Sequence, residues 1–356
     1  MKSLGNFPDP FIAEIAGQPD ALRRAGAGLQ DQAPALTRIE EEATGRRVVF
    51  TGMGSSYDAC YPAVVELAQA GRDALMLDAA ELLHFRMGML GPDTLVVAVS
   101  QSGESAEVVR AVEGMRERSD PPFVVSVTNG TANALHALAD LGLDTRAGEE
   151  TGPSSMTFAA SLAVVGALGR SIVGRADAIA RTRDGCAGAA ASIEELLADA
   201  TLPGRLVAWL GDRRTIVILG RGPARAAAEM GALTIKETAG IAVESLQTAQ
   251  FRHGPLELAG PDLAAIVIAT EPQTRELDLE LSAELLGQGA AVLTIEEDGS
   301  GPHGARALAL ATGRLDPAVG SAVTLVPIQL LARQLSILRG RDPGTYYRAS
   351  KVTTRE

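Results

Sequence analysis

Six residues, SQSGES at Ser100–Ser105, stand between the apolar run VVAV and a helical pattern. The hydroxyls of Ser100, Ser102 and Ser105 and the amide of Gln101 are hydrogen-bond donors, and Gly103 lets the backbone approach a ligand closely. A helix start adds backbone N–H groups that lack internal partners and carry partial positive charge. Together these groups suit an anion with several acceptor oxygens, a phosphate monoester above all. The turn GMGSS, Gly52 to Ser56, has the same character after an earlier apolar run, so both turns could face one ligand. Neither holds the lysine of a P-loop, and Tyr57 stands where a GxGxxG fingerprint needs its third glycine, so nucleotide binding is not indicated. Ser and Gly also serve as ordinary caps and turn formers, which is the bland account of either stretch.

A phosphate cradle orients a substrate and transforms nothing, so an acid and a base must come from elsewhere. The stretch IKETAGIAVESLQTAQFRHGP puts Lys236 and Glu237 on a helix and His253 in a turn closed by Gly254 and Pro255. An imidazole titrates near neutrality and could exchange a proton with a ring oxygen. Glu237 could be the base at carbon if burial lifts it from roughly 4.3 toward roughly 6. Lysine occurs only at positions 2, 236 and 351, and Lys351 lies close to the C-terminus, in YYRASKVTTRE. A fraying tail would matter little, whereas a tail folded back over a pocket could bring that amine to a carbonyl.

These groups need a scaffold. From Arg47 onward, short β-branched runs alternate with longer helical stretches: RRVVFTG, DALMLD, TLVVAVS, FVVSVTN and a strand near Leu143. Continuous apolar strands separated by helices indicate a parallel sheet covered on both faces. After a helix-rich bridge from about Ser154 to Leu202 the alternation restarts at RTIVILGRGPARAAAEMGALTIKE and continues through LAAIVIAT and AAVLTIEE. VVFTGMGSSYDACYPAVVEL and IVILGRGPARAAAEMGALTI match in strand, glycine turn and helix, which predicts an internal duplication. The predicted organisation is a helical arm over residues 1–44, broken near Gly17 and Pro19, α/β units over 45–190 and 205–340, and a tail over 341–356. In open parallel sheets ligands sit beyond the carboxyl ends of the strands, where these glycine turns lie.

With 356 residues, two ordinary domains are expected. A net charge of −12 without a basic cluster argues against nucleic acid. The two cysteines, Cys60 and Cys186, suggest neither a disulfide framework nor a metal site, and a reducing cytoplasm fits best. No signal-like N-terminus is visible and the apolar runs look far short of a membrane span, so neither export nor a membrane partner is expected.

In order and spacing, GMGSSY, SQSGES, EETGPSSMTFAASLA, KETAG, FRHGP and SKVT resemble the isomerase half of glucosamine-6-phosphate synthase and its relatives, built of two sugar isomerase (SIS) domains. The resemblance spans nearly the whole chain and implies an α/β protein of two flavodoxin-like domains, each a parallel sheet sandwiched by helices. It implies phosphate binding by Ser55, Ser56, Ser100, Gln101, Ser102 and Ser105, and sugar contacts from Gly54, Pro153, Ser155 and Ser350. It gives Glu237 the proton transfer between C1 and C2, His253 the ring opening across a homodimer interface, and Lys351 the contact with the open-chain sugar. No cofactor or metal is implied.

Three departures narrow the activity. Thr234 stands where the synthases have a lysine one turn before the glutamate, and Thr157 replaces another lysine. The chain starts at MKSLGN without a glutaminase-type cysteine, so ammonia from glutamine is not expected. The expected activity is conversion of an amino sugar 6-phosphate, such as glucosamine 6-phosphate, to a ketose 6-phosphate and ammonia. A fructosamine-6-phosphate deglycase, a plain aldose-ketose isomerase and a non-catalytic sugar-phosphate-binding regulator are the alternatives. Against the regulator, the residues before the first strand are too few for an attached helix-turn-helix reader.

Overall fold

Apolar runs rich in Val, Leu and Ile, too short for helices and buried on both faces, become the central strands of two parallel sheets. The computed structural model describes residues 9–355. Helices α1 (Pro10–Gly28) and α2 (Ala33–Ala43) precede β1 (Arg47–Gly52), and α3 (Ser55–Asp58) and α4 (Tyr61–Gln69) lead to β2 (Ala74–Asp78). The short α5 (Ala79–Glu81) precedes β3 (Thr94–Val99), and α6 (Ala106–Arg116), β4 (Phe123–Thr128), α7 (Ala134–Leu138) and β5 (Leu141–Asp144) complete the first lobe. Three helices form the bridge: α8 (Met156–Val173), α9 (Ala178–Ala198) and α10 (Leu202–Leu210). The second lobe runs β6 (Thr215–Gly220), α11 (Arg225–Ala239), β7 (Glu244–Gln247), α12 (Thr248–Phe251), β8 (Leu263–Ala269), α13 (Arg275–Gly287), β9 (Ala291–Glu296), β10 (Ala307–Ala311) and α14 (Gly320–Leu338).

The sheet orders are β2-β1-β3-β4-β5 and β7-β6-β8-β9-β10, the same doubly wound order twice. Every pairing between named strands is parallel. This agrees with the internal duplication and with the expected fold class. The strand β1 lies between β2 and β3, so the turn after it opens onto the reversal point of the first sheet, beside the loop that follows β3.

Contrary to expectation, α1 is an unbroken core helix rather than an arm. Phe11, Ile15, Leu22 and Ala25 are buried in a core shared with α8, α9 and α14. Pro19 removes the amide that would bond the Ile15 carbonyl, and the Gln18 side chain supplies the missing donor at 3.1 Å. Gln18 also donates to Gln329 of α14 at 2.8 Å. Gly17 packs against the Met156 side chain, where a Cβ would lie 2.6 Å from the sulfur.

A fully buried Arg170 on α8 ties the lobes, donating to Glu66 of α4, Thr182 of α9 and Asp316 ahead of α14 at 3.3, 3.0 and 2.5 Å. The expectation about apolar length is corrected too. Both α8 and α14 are long and apolar enough to cross a membrane, but 89% and 78% of those stretches are buried inside the fold, the property of central core helices. Cys60 and Cys186 are both buried and unpaired.

Candidate active site

The turn after β1, the loop after β3, the middle of α11 and the C-terminal tail meet around a cavity of about 360 Å³. The first lobe contributes Gly54, Ser55, Ser56, Gln101, Ser102 and Ser105, the second contributes Glu237, and the tail contributes Ser350 and Lys351. Residues almost 300 positions apart in sequence thus share one wall.

Local hydrogen bonds shape the hydroxyl-rich elbow. Gly54 holds φ 52°, a conformation that costs a glycine little, and starts α3 with no side-chain cap. Ser55 donates to Ser154 at 2.9 Å, and Ser56 accepts the Gln101 amide at 3.2 Å, joining the two turns. Ser102 accepts the Glu104 amide at 3.1 Å. Ser105 occupies the N-cap position of α6 without bonding its amides, because its hydroxyl pairs with Ser100 at 3.1 Å. The Ala106 amide is taken by the Thr353 carbonyl of the tail at 3.1 Å, and the rest of the first turn of α6 has no side-chain cap.

Four expected contacts are placed elsewhere. Ser100 is buried behind the loop, accepting the Gly103 amide at 3.2 Å, and shapes the elbow rather than lining the cavity. Pro153 and Ser155 are buried as well, and their neighbour Ser154 takes the position on the cavity wall. His253 is exposed in the turn after α12 and lies outside the cavity of its own chain. Gly103 is required for packing rather than ligand approach, since a Cβ there would lie 2.0 Å from Asn133.

Sequence reasoning missed Glu150. Its carboxylate accepts the Ser155 amide and hydroxyl at 2.8 and 2.9 Å, the Thr157 amide at 3.2 Å and the Thr157 hydroxyl at 2.5 Å, so it is the anion at the N-terminus of α8. Lys351 then reaches Glu150 at 2.7 Å and the Gly152 carbonyl at 2.6 Å, which fixes the tail against the first lobe. Two of the three ammonium N–H donors are thereby committed, leaving one for a ligand. Glu14 of α1 accepts the Thr151 and Gly152 amides at 2.6 and 3.1 Å and braces the same loop. The signal available in the sequence was an acid five residues before the N-cap of a long apolar helix.

Glu237 sits half-buried on the α11 face toward the tail. Burial is the main cause that pushes its carboxyl up to about 7, with Glu150 adding to the rise and Lys351 and Lys236 opposing it. A carboxylate so tuned can accept and release a proton at neutral pH. Thr234, one turn earlier, is fully buried and spends its hydroxyl on the Met230 carbonyl at 2.8 Å, so it offers the cavity nothing polar. Among the described residues no cluster of His, Cys, Asp or Glu could hold a metal ion.

A family model for the SIS domain matches twice, over residues 43–170 and 210–339. This chain belongs to the SIS family. Glutamine–fructose-6-phosphate aminotransferase (isomerizing) of Pyrobaculum aerophilum is 29% identical over 367 residues, an alignment that covers 100% of this SIS protein and 59% of that one. The chain spans about three fifths of the length of the curated relatives it matches. Among solved structures, the C-terminal domain of glucosamine-fructose-6-phosphate aminotransferase from Francisella tularensis has a TM-score of 0.85 at 20% identity, covering 97% of this chain and 100% of that one. Glucosamine-6-phosphate deaminase from Thermotoga maritima has a TM-score of 0.76 at 20% identity, covering 96% and 99%. At such identities the two structures bear on the fold alone, a double SIS architecture along nearly the full chain.

Proposed function

We propose that this SIS protein is a sugar-phosphate isomerase of the deaminating kind, converting an amino sugar 6-phosphate to a ketose 6-phosphate and ammonia. One observation carries the reading: a single cavity unites the hydroxyl-rich elbow, a glutamate with its carboxyl raised to about 7, and a lysine fixed by an ion pair. A phosphate monoester held by Ser56, Ser102, Ser105 and the first turn of α6 beyond the Thr353-capped Ala106 amide would direct its carbon chain toward Glu237 and Lys351. Such anchoring supplies the orientation that makes a weak base effective at carbon.

In the open-chain substrate, Glu237 takes the proton from C2 and returns it to C1. The electron pair left at C2 draws the aldehyde oxygen toward an enolate, and the remaining N–H of Lys351 donates to that oxygen. Return of that proton to C1, with one proton gained by the C1 oxygen and one released by the amine nitrogen, leaves a C1 alcohol and a C2 imine. Water adds to the imine and ammonia leaves, giving the ketose phosphate. The ion pair with Glu150 favours Lys351 as a fixed ammonium over a Schiff-base nucleophile, which would have to shed its proton and both acceptors. Ring opening falls to His253, which lies on the exposed turn of its own chain and therefore requires a homodimer to bring a partner's imidazole to the cavity. A cytoplasmic setting belongs to the same reading, since phosphorylated sugars are retained there.

Purified protein incubated with a panel of hexosamine, fructosamine and hexose 6-phosphates tests this. Ammonia and a ketose phosphate from a hexosamine 6-phosphate are the expected products. Release of an amine only from fructosamine adducts would make it a deglycase, and aldose-ketose interconversion alone a plain isomerase. Raised melting temperatures without any turnover would make it a sensor.

A further inference from the structure

Two adjacent tyrosines in the tail have opposite fates. Tyr347 is half-exposed and spent on the turn itself: its hydroxyl accepts the Asp342 amide at 2.8 Å and its ring lies 4.2 Å from the Arg341 guanidinium. Tyr346 turns inward, half-buried, and lines the cavity beside Glu237, Ser350 and Lys351. Its hydroxyl has no protein partner among the described residues. The hydroxyl is not sealed from the cavity, so a water or a ligand oxygen can complete it there.

The tether that places this ring is rigid. Arg341 donates to the Thr238 carbonyl at 2.9 Å, one residue beyond Glu237 on α11, and Ser336 donates to the same carbonyl at 3.2 Å. Gly344, at φ 81°, packs against Phe11 of α1, where a Cβ would come within 3.2 Å. Burial and the carboxylates of Glu237, Glu150 and Glu14 hold the phenol well above its usual range, so it stays a donor. Thr234 spends its hydroxyl inside α11. Tyr346 is thus an unspent neutral donor facing Glu237.

We propose that Tyr346 is a substrate-positioning residue whose hydroxyl donates to an oxygen of the open carbon chain at the Glu237 end of the cavity. The proposal rests on the sugar-phosphate reading above and assigns a ligand group to a residue outside the phosphate elbow. It explains why the tail presents a tyrosine, with an apolar ring to exclude water and a polar tip to bind.

Calorimetry on Tyr346→Phe with two probes tests it. Inorganic phosphate fills only the elbow, whereas glucitol 6-phosphate carries the full open chain. Expected are a phosphate affinity within about twofold of wild type and a glucitol 6-phosphate affinity reduced about 5- to 10-fold, the loss of one neutral hydrogen bond. On the substrate identified by the sugar panel, kcat/KM should fall at least as far. Tyr347→Phe is the control, with a slightly lower melting temperature and no selective loss of the hexitol. Unchanged hexitol binding in Tyr346→Phe overturns the proposal, and equal loss of both probes reassigns the residue to tail structure. If wild type turns over no sugar phosphate but Tyr346→Phe still loses hexitol selectively, the catalytic reading fails and the positioning role stands.

Discussion

The two lobes carry the same turn after their first strand and use it differently. Gly54 and its counterpart Gly222 have φ of 52° and 50°, so the backbone elbow is duplicated faithfully. In the first lobe Ser55 and Ser56 follow, while in the second the same positions are Pro223 and Ala224. The loop after β3 answers with hydroxyls, and the loop after β8 answers with Glu271, whose carboxylate lies beside Ala224 on the wall of one cavity. A cavity of about 450 Å³ lies there too, at the carboxyl edge of the second sheet. In both lobes the amide two residues after that glycine is spent on the carbonyl three residues back, Ser56 on Met53 and Ala224 on Arg221, so the contrast lies in the side chains, hydroxyls in one elbow and a carboxylate in the other. Duplication supplied two glycine elbows, and the side chains around them differ.

The largest effect that could break this contrast is at the base. Glu237→Gln should lower kcat by about 10²- to 10⁴-fold, the range for a general base, while phosphate still binds; retained turnover would remove the proton shuttle from the mechanism. Its titration gives a second handle. The ionised form is the base, so kcat/KM should rise with pH through about 7, and an acid limb near 4.5 would show that burial does not act as described. Next in size, Ser56→Ala and Ser102→Ala should each weaken inorganic phosphate binding by about 10-fold or more, as expected for hydroxyls donating to a dianion. The reciprocal change Ala224→Ser should create no phosphate site, because the Glu271 carboxylate still lies beside that position; phosphate binding by that variant would contradict the contrast between the lobes.

The smallest effect is on stability. Burial, with Asp278 nearby, raises the Glu271 carboxyl to about 7. Its folded value lies above the unfolded one, so the native state holds the proton more tightly and stability declines as pH rises from about 4.5 through 7. Glu271→Gln should flatten that decline, by an amount on the order of 1 kcal/mol after solvent screening. Melting curves at pH 5 and pH 8 read the difference, and an unchanged slope would mean that the carboxylate is freely hydrated.

How much of this was legible follows from what each residue advertises. Central strands such as TLVVAV and LAAIVIA are buried on both faces and read as unbroken apolar runs. The edge strands ESLQ and ALALA went unread, because short, partly exposed edges lack both the run and a clear alternation. Hydroxyl-rich turns were visible through composition. Glu150 was not, since its role depends on a helix start and a lysine 201 residues away in sequence. Ser154 differs from Ser155 only in orientation, which no residue type records. The Gln18 donor that lets Pro19 stay inside α1 was hidden in the same way, and the proline was read as a break.

The carbonyl of Thr353 accepts the Ala106 amide at 3.1 Å, so the last few residues of the polypeptide cap the helix that begins beside SQSGES. Ordering the C-terminus and loading the elbow are therefore coupled equilibria: whatever changes one shifts the other. A purification handle fused after Glu356 would perturb that coupling directly, so affinity and turnover measured on C-terminally tagged and untagged protein should differ.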